Sequence, residues 1–339
     1  MFRPLLSLEK VSVMIFDKIP RIRFLEEPTP LQQLKRIESL TGHQSLWIKR
    51  DDNAPLGQGG NKVRSLEFWM GEAIAQSSDI ILVAGKAVSN SCRLAAAAAA
   101  KLGIECLILH NDHEPPNLEG NLLLSHLFGA SFEYIGPVDE EKRATAVRLA
   151  ADRLRNQGRR PYVIGNEVTG SFGYVMGALE LHQQANEKQI ALKHVLMPGS
   201  MGTTEAGFLF GCALLGGPFI VHLVSVEYKV EELKERVAAI YHGIQERTEL
   251  QPSAEYLKWT RFYEDYLGSG YDQPTPGSLK AIRTFGSREG LLLENTYTSK
   301  PAAALLDMAS RGELPSDESA CLLHTGGIPA LFSQEMILK

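Results

Sequence analysis

From residue 79 onward the chain alternates short apolar runs with longer stretches whose apolar positions recur at helical spacing. Residues 80–84 are all apolar and predict a buried strand that stops at Gly85. A helix over 91–102, a strand over 106–109 and a polar loop over 111–116 follow. Then come a helix over 117–128, a strand over 132–135, an amphipathic helix over 140–156 and a strand over 162–164. The pattern restarts with a strand over 195–197, a turn over 198–204 and a helix from Glu205. A strand over 219–226, helices over 230–248 and 277–289, and a late strand over 320–324 complete it. Alternation of this kind predicts parallel strands joined by crossover helices. The expected fold class is therefore α/β, with two open, twisted, mostly parallel sheets, helices on both faces and a cleft between domains. Ligands of such folds sit outside the carboxyl ends of the strands. The turns after residues 84, 198 and 323 lie at such ends.

With 339 residues the chain exceeds the size at which one core stops growing, which predicts two domains. Segments 1–65 and 173–339 are expected to form a large discontinuous domain, with 66–172 inserted as a smaller α/β domain. The 44% apolar content is ample for a core. The single low-complexity piece, alanine at every position from 95 to 100, predicts a buried helix behind a functional turn.

A net charge of −5 and the lack of a basic run with interleaved aromatics argue against a nucleic-acid partner. No run approaches ~18 uninterrupted apolar residues, so no membrane span is expected. Residues 1–10 lack the pattern of a signal peptide. Cys92, Cys106, Cys212 and Cys321 are scattered, which predicts free thiols and a cytoplasmic location.

The candidate chemistry begins at Lys62. It ends a glycine-rich turn, Gly57-Gln58-Gly59-Gly60-Asn61-Lys62, between a strand-like and a helix-like segment. A lysine held there, beside amides that can face an anion, suits a Schiff base with a carbonyl cofactor. The alternative is an ordinary turn with a solvated lysine. A P-loop is ruled out because Val63, not Ser or Thr, follows the lysine, and no dinucleotide fingerprint opens a helix here. Gly202-Thr203-Thr204, between a strand and a helix, offers amides, hydroxyls and a helix N-terminus to a phosphate; a plain threonine cap explains the same residues. Ser89 at the head of the alanine helix is equally open to reading as an N-cap. His110 and His113 bracket a polar loop but lack further ligands, so no metal site is expected. Residues 230–247 carry charges at helical spacing and predict a solvated helix face.

In sequence order, Asn61-Lys62, Ser89-Asn90, Gly202-Thr203-Thr204, Tyr297-Thr298 and His324-Thr325-Gly326-Gly327 resemble one family. It comprises D-cysteine desulfhydrase and 1-aminocyclopropane-1-carboxylate deaminase, with the tryptophan-synthase-β-like fold. The resemblance runs from Pro28 to Phe332.

It implies an enzyme whose cofactor is pyridoxal 5'-phosphate, bound in the cleft between domains, and a homodimer. Lys62 would be the Schiff-base lysine and the proton-transfer base. Gly202, Thr203 and Thr204 would hold the phosphate. Asn90 would bond the ring hydroxyl, Ser89, Asn90 and Ser91 would hold the substrate carboxylate, and Ser89 would be catalytic, matching the proposed nucleophile of the deaminase branch. Ser91 stands where the family commonly has His or Gln. Tyr271 and Tyr297 would polarise the leaving group or shuttle protons.

Thr298 and Thr325 match the desulfhydrase branch, where the deaminases carry Glu and Leu. A neutral hydroxyl beside the pyridine nitrogen, rather than a carboxylate, suits prompt β-elimination of a good leaving group. The implied reaction is conversion of a small amino acid, D-cysteine foremost, to pyruvate, sulfide and ammonia. Ring-opening deamination to 2-oxobutanoate is the alternative, and a non-catalytic homologue a third. Glu167, in an expected loop over 165–170, adds an acidic group that suits a surface loop or a cationic substrate.

Overall fold

The computed structural model describes residues 19–252 and 254–333. The opening residues 1–10, read for a signal peptide, lie outside these. The described strands are β1 (Leu31–Gln33), β2 (Leu46–Arg50), β3 (Ile80–Gly85), β4 (Glu105–His110) and β5 (Ser131–Tyr134). They continue as β6 (Pro161–Val163), β7 (Leu192–Gly199), β8 (Ile220–Ser225), β9 (Thr260–Tyr263) and β10 (Ser319–His324). The helices that matter for the site are α1 (Lys35–Thr41), α2 (Lys62–Ala75), α3 (Asn90–Leu102) and α4 (Gly120–Leu127). After them come α5 (Glu140–Asn156), α6 (Glu167–Glu187), α7 (Thr203–Leu214), α8 (Val230–Thr248), α9 (Pro276–Glu289) and α10 (Ser299–Ser310).

One sheet has the order β1-β2-β10-β7-β8-β9, the other β5-β4-β3-β6. Only the edge strand β1 pairs antiparallel; every other pairing is parallel. The fold is α/β with two mostly parallel sheets, as the alternation predicts. Side chains of parallel strands alternate between two covered faces. In β3, Ile81 and Val83 join one core while Ile80 and Leu82 join another. In β7, Val195 and Met197 face one core and Leu196 the other. The alanine helix is buried from Leu94 to Ala99, and the four cysteines are free and buried.

The expected loop over 165–170 is corrected. Asn166 accepts a hydrogen bond from the Thr169 N–H at 3.0 Å, and the chain is helical from Glu167. The resulting helix α6 packs between α2 and α7 along glycine seams. A Cβ on Gly173 would lie 2.4 Å from the Arg64 carbonyl carbon, and one on Gly207 2.1 Å from the Ser171 carbonyl oxygen. Neither position has room for a side chain.

Beneath this packing lies a buried ion network. The Arg64 guanidinium donates to both Asp51 oxygens at 2.8 and 2.9 Å and to both Glu180 oxygens at 2.8 Å. Lys49 Nζ also pairs with Glu180. The guanidinium and ammonium hold Asp51 well below the usual carboxylate range despite burial.

A second hydrogen-bonded chain, buried at its two histidines, crosses the large sheet. Glu318, His194, His222 and Tyr263 are linked in turn at 2.7, 2.9 and 2.9 Å. Burial, with His194 and Arg261 nearby, pushes His222 down to about 3. Unfolded histidine titrates near ~6.5, so on acidification the unfolded chain takes up a proton that folded His222 refuses. Stability is therefore expected to fall as pH falls below that value. Between pH 7 and pH 5 the loss should be about 2 kcal/mol, read by urea unfolding, and should shrink in His222→Gln.

Candidate active site

A cavity of about 660 Å³ opens between the carboxyl ends of the two sheets. That volume suits a cofactor-sized ligand. The N-terminal residues of α2, α3, α5, α6 and α7 all line it. Each helix presents the positive end of its dipole there, so the cavity favours anions.

Lys62 reaches the wall through a turn without room for side chains. A Cβ on Gly59 would lie 1.9 Å from the Asp52 carbonyl oxygen, and one on Gly326 2.5 Å from Gly60 Cα. The Asn61 N–H donates to the Thr325 carbonyl at 2.9 Å, and Asn61 Nδ2 to Thr204 Oγ1 at 3.0 Å. The turn is thus tied to both β10 and the head of α7. The Lys62 amine makes no hydrogen bond or ion pair with a described residue. Burial lowers its pKa, opposed by the carboxylates of Glu205, Glu167 and Glu227.

Opposite stands the head of α7. Gly202 has φ +90° and no side chain caps the helix. The Thr203 and Thr204 N–H groups have no partner among the described residues, and both threonines line the cavity. Gly202 itself does not; it packs against Ile240 and Arg236. The Ser200 N–H donates to the Glu205 carboxylate, and Ser200 Oγ to Glu227 at 2.5 Å. Burial pushes both carboxyls toward the neutral form.

The third wall is the loop after β3. Ser89 Oγ caps α3 by accepting from the Cys92 N–H at 3.3 Å, and Ser89, Asn90 and Ser91 all face the cavity. Tyr271 and Tyr297 line it with their hydroxyls 2.8 Å apart and rings edge to face. Burial raises both phenols, so both stay protonated at neutral pH. Lys86 Nζ lies 5.6 Å from the Tyr271 ring centre. Thr325 lines the cavity but Thr298 does not. The Thr298 hydroxyl turns to Glu294, whose buried carboxylate accepts from the N–H groups of Thr296, Tyr297 and Thr298 at 2.7, 2.8 and 2.7 Å.

Glu205, Glu227, Glu294, Lys86 and Asn61 were not singled out as site residues from sequence. Glu227 had a signal: it follows the end of β8, where parallel strands present ligand contacts. Among the described residues no three histidine, cysteine or carboxylate side chains group to hold a metal. No helix among them is long and apolar enough to cross a membrane.

A free lysine facing an uncapped helix N-terminus, in a cleft between two α/β sheets, defines an enzyme site for a ligand bearing carbonyl and phosphate. Residues 22–326 match the family described as pyridoxal-phosphate dependent enzyme, and the chain belongs to that family. It is 35% identical to D-cysteine desulfhydrase of Salmonella typhimurium, covering 93% of this chain and 96% of that one. It is 34% identical to D-cysteine desulfhydrase of Klebsiella pneumoniae, covering 95% and 98%. The crystal structure of an ACC deaminase homologue superposes with TM-score 0.88 at 28% identity over 99% of both chains.

The residues present fit the cofactor. A phosphate finds two unpaired amides and two threonine hydroxyls at the head of α7, and an aldehyde finds an amine with no competing partner.

Proposed function

We propose that the chain is a lyase that eliminates the β-substituent of a small amino acid, with D-cysteine and water giving pyruvate, sulfide and ammonia. The observation that carries it is the unpartnered Lys62 amine in one cavity with a hydrogen-bonded pair of phenols, in a chain similar to D-cysteine desulfhydrases over nearly its whole length.

Bound pyridoxal phosphate supplies an electron sink that acidifies the Cα–H of an attached amino acid. Lys62 Nζ would hold the cofactor and would serve as the base that takes up that proton. Burial favours its neutral, basic form. Thr203, Thr204 and the Gly202 turn would hold the phosphate. Asn90 would bond the ring oxygen. Ser89 and Ser91, beside the N-terminus of α3, hold the substrate carboxylate. Tyr271 and Tyr297, still protonated at neutral pH, donate a proton to the departing thiolate. Thr325 would bound the ring, while Thr298 would act through Glu294 on the turn that carries Tyr297.

A second reading, ring-opening deamination, is favoured by the likeness to the ACC deaminase homologue. Product analysis separates the two. The expected result is pyruvate and sulfide from D-cysteine; 2-oxobutanoate from 1-aminocyclopropane-1-carboxylate, without sulfide release from D-cysteine, would overturn the first reading.

The division into a domain of 1–65 and 173–339 and an inserted domain of 66–172 belongs to the same proposal. Its support is that β3 to β6 form their own sheet. A homodimer and a cytoplasmic location complete the reading; four free, buried thiols support the latter.

A further inference from the structure

Arg93 is fully buried in the alanine helix, yet it forms no ion pair with a described residue. Its Nη2 donates to the Gly59 carbonyl at 2.7 Å and its Nη1 to Asn121 Oδ1 at 3.0 Å, while Nε has no partner. Asn121, also buried, turns its amide nitrogen to the Val88 carbonyl at 2.6 Å and to Asn90 Oδ1 at 2.9 Å. The Asn90 amide nitrogen makes no hydrogen bond with a described residue, and Asn90 lines the cavity.

A carboxamide can face either way, because its oxygen accepts and its nitrogen donates. A guanidinium only donates. Arg93 therefore requires the oxygen of Asn121, which leaves Asn121 its nitrogen for the next residue. That nitrogen in turn requires the oxygen of Asn90. The Val88 carbonyl, an acceptor only, enforces the same orientation of Asn121.

We propose that Arg93 and Asn121 are positioning residues that fix Asn90 as a hydrogen-bond donor into the cavity, toward an anionic oxygen on the cofactor ring. This rests on the reading that Asn90 faces that ring. A buried cation without a carboxylate also places an uncompensated positive charge behind the donor, which strengthens its bond to an anion. The same guanidinium holds Gly59, in the turn that leads to Lys62, so the lysine and the asparagine are set by one group.

The test compares Asn121→Asp, Arg93→Gln and Asn90→Ala with the unaltered holoenzyme. The readouts are the affinity of the cofactor-free protein for pyridoxal phosphate and the pH midpoint of the bound cofactor's visible absorption. Aspartate at 121 cannot donate, so Asn90 must reverse and present its oxygen to the cavity. The expected result is a loss of affinity of about tenfold or more and an upward midpoint shift of about one pH unit, the size a lost charge-assisted hydrogen bond gives. Asn90→Ala should match it, and Arg93→Gln should shift the midpoint in the same direction. A shifted midpoint in Asn90→Ala with unchanged midpoints in both other variants overturns the relay. Unchanged affinity and midpoint in Asn90→Ala overturns the placement of Asn90 at the ring, and the relay with it. If Asn121→Asp does not fold, Arg93→Gln and Asn121→Ser give the same reading.

Discussion

Replacing Lys62 with alanine is expected to abolish the visible absorption of lysine-bound cofactor and to lower turnover by at least ~10³-fold. Two functions are lost at once: the amine that holds the cofactor and the base that moves the α-proton. The rest of the cavity is untouched, because the lysine side chain makes no bond to a described residue. The variant should fold with an unchanged unfolding midpoint and still take up pyridoxal phosphate weakly at the head of α7. Absorption before and after dialysis, together with pyruvate release, checks both halves. Retained absorption after dialysis, with turnover intact, would mean that another amine does the work.

The largest expected effect on stability is at Arg64. Arg64→Met removes the guanidinium that bonds both Asp51 oxygens and both Glu180 oxygens. Two carboxylates then remain in the interior with Lys49 as their remaining cation among the described residues. Breaking a buried ion network from one side costs ~3–5 kcal/mol, far more than losing a surface pair. Urea unfolding at neutral pH measures it. At lower pH the gap between Arg64→Met and the parent should narrow. Asp51 has a depressed pKa in the parent, so its contribution is present above the unfolded value, near ~3.9, and fades as pH falls below it. An effect under ~1 kcal/mol would mean that water replaces the guanidinium.

Much of this architecture is legible along the chain, for identifiable reasons. The runs at 80–84 and 106–109 are apolar on every residue because parallel strands are covered on both faces. The helices over 140–156 and 230–248 show their solvated faces plainly and end as expected. What stayed hidden was hidden by local chemistry. Helix α6 begins with Glu-Val-Thr-Gly-Ser-Phe-Gly, in which Gly170 and Gly173 look like breakers. In the fold they are contact points, Gly170 against the Trp69 ring and Gly173 against the Arg64 backbone. The edge strand β1 is mostly polar because its outer side faces water. Thr298, which the resemblance places beside the cofactor ring, turns its hydroxyl to Glu294, four residues back, a contact with no periodic trace. Ser89 is the helix cap that its position suggests, and it also lines the cavity.

The glycine seams that lock α2 and α7 onto α6 separate two properties of the catalyst. The lysine at the head of α2 and the threonines at the head of α7 are held at a fixed spacing by backbone contact, with no side chain between to be exchanged. The loop from Lys86 to Ser89 hangs from the other sheet and takes no part in that clamp. Substitutions in the loop can therefore redirect which amino acids are accepted while the anchoring of the cofactor stays constant. New specificities within this scaffold become accessible one loop residue at a time.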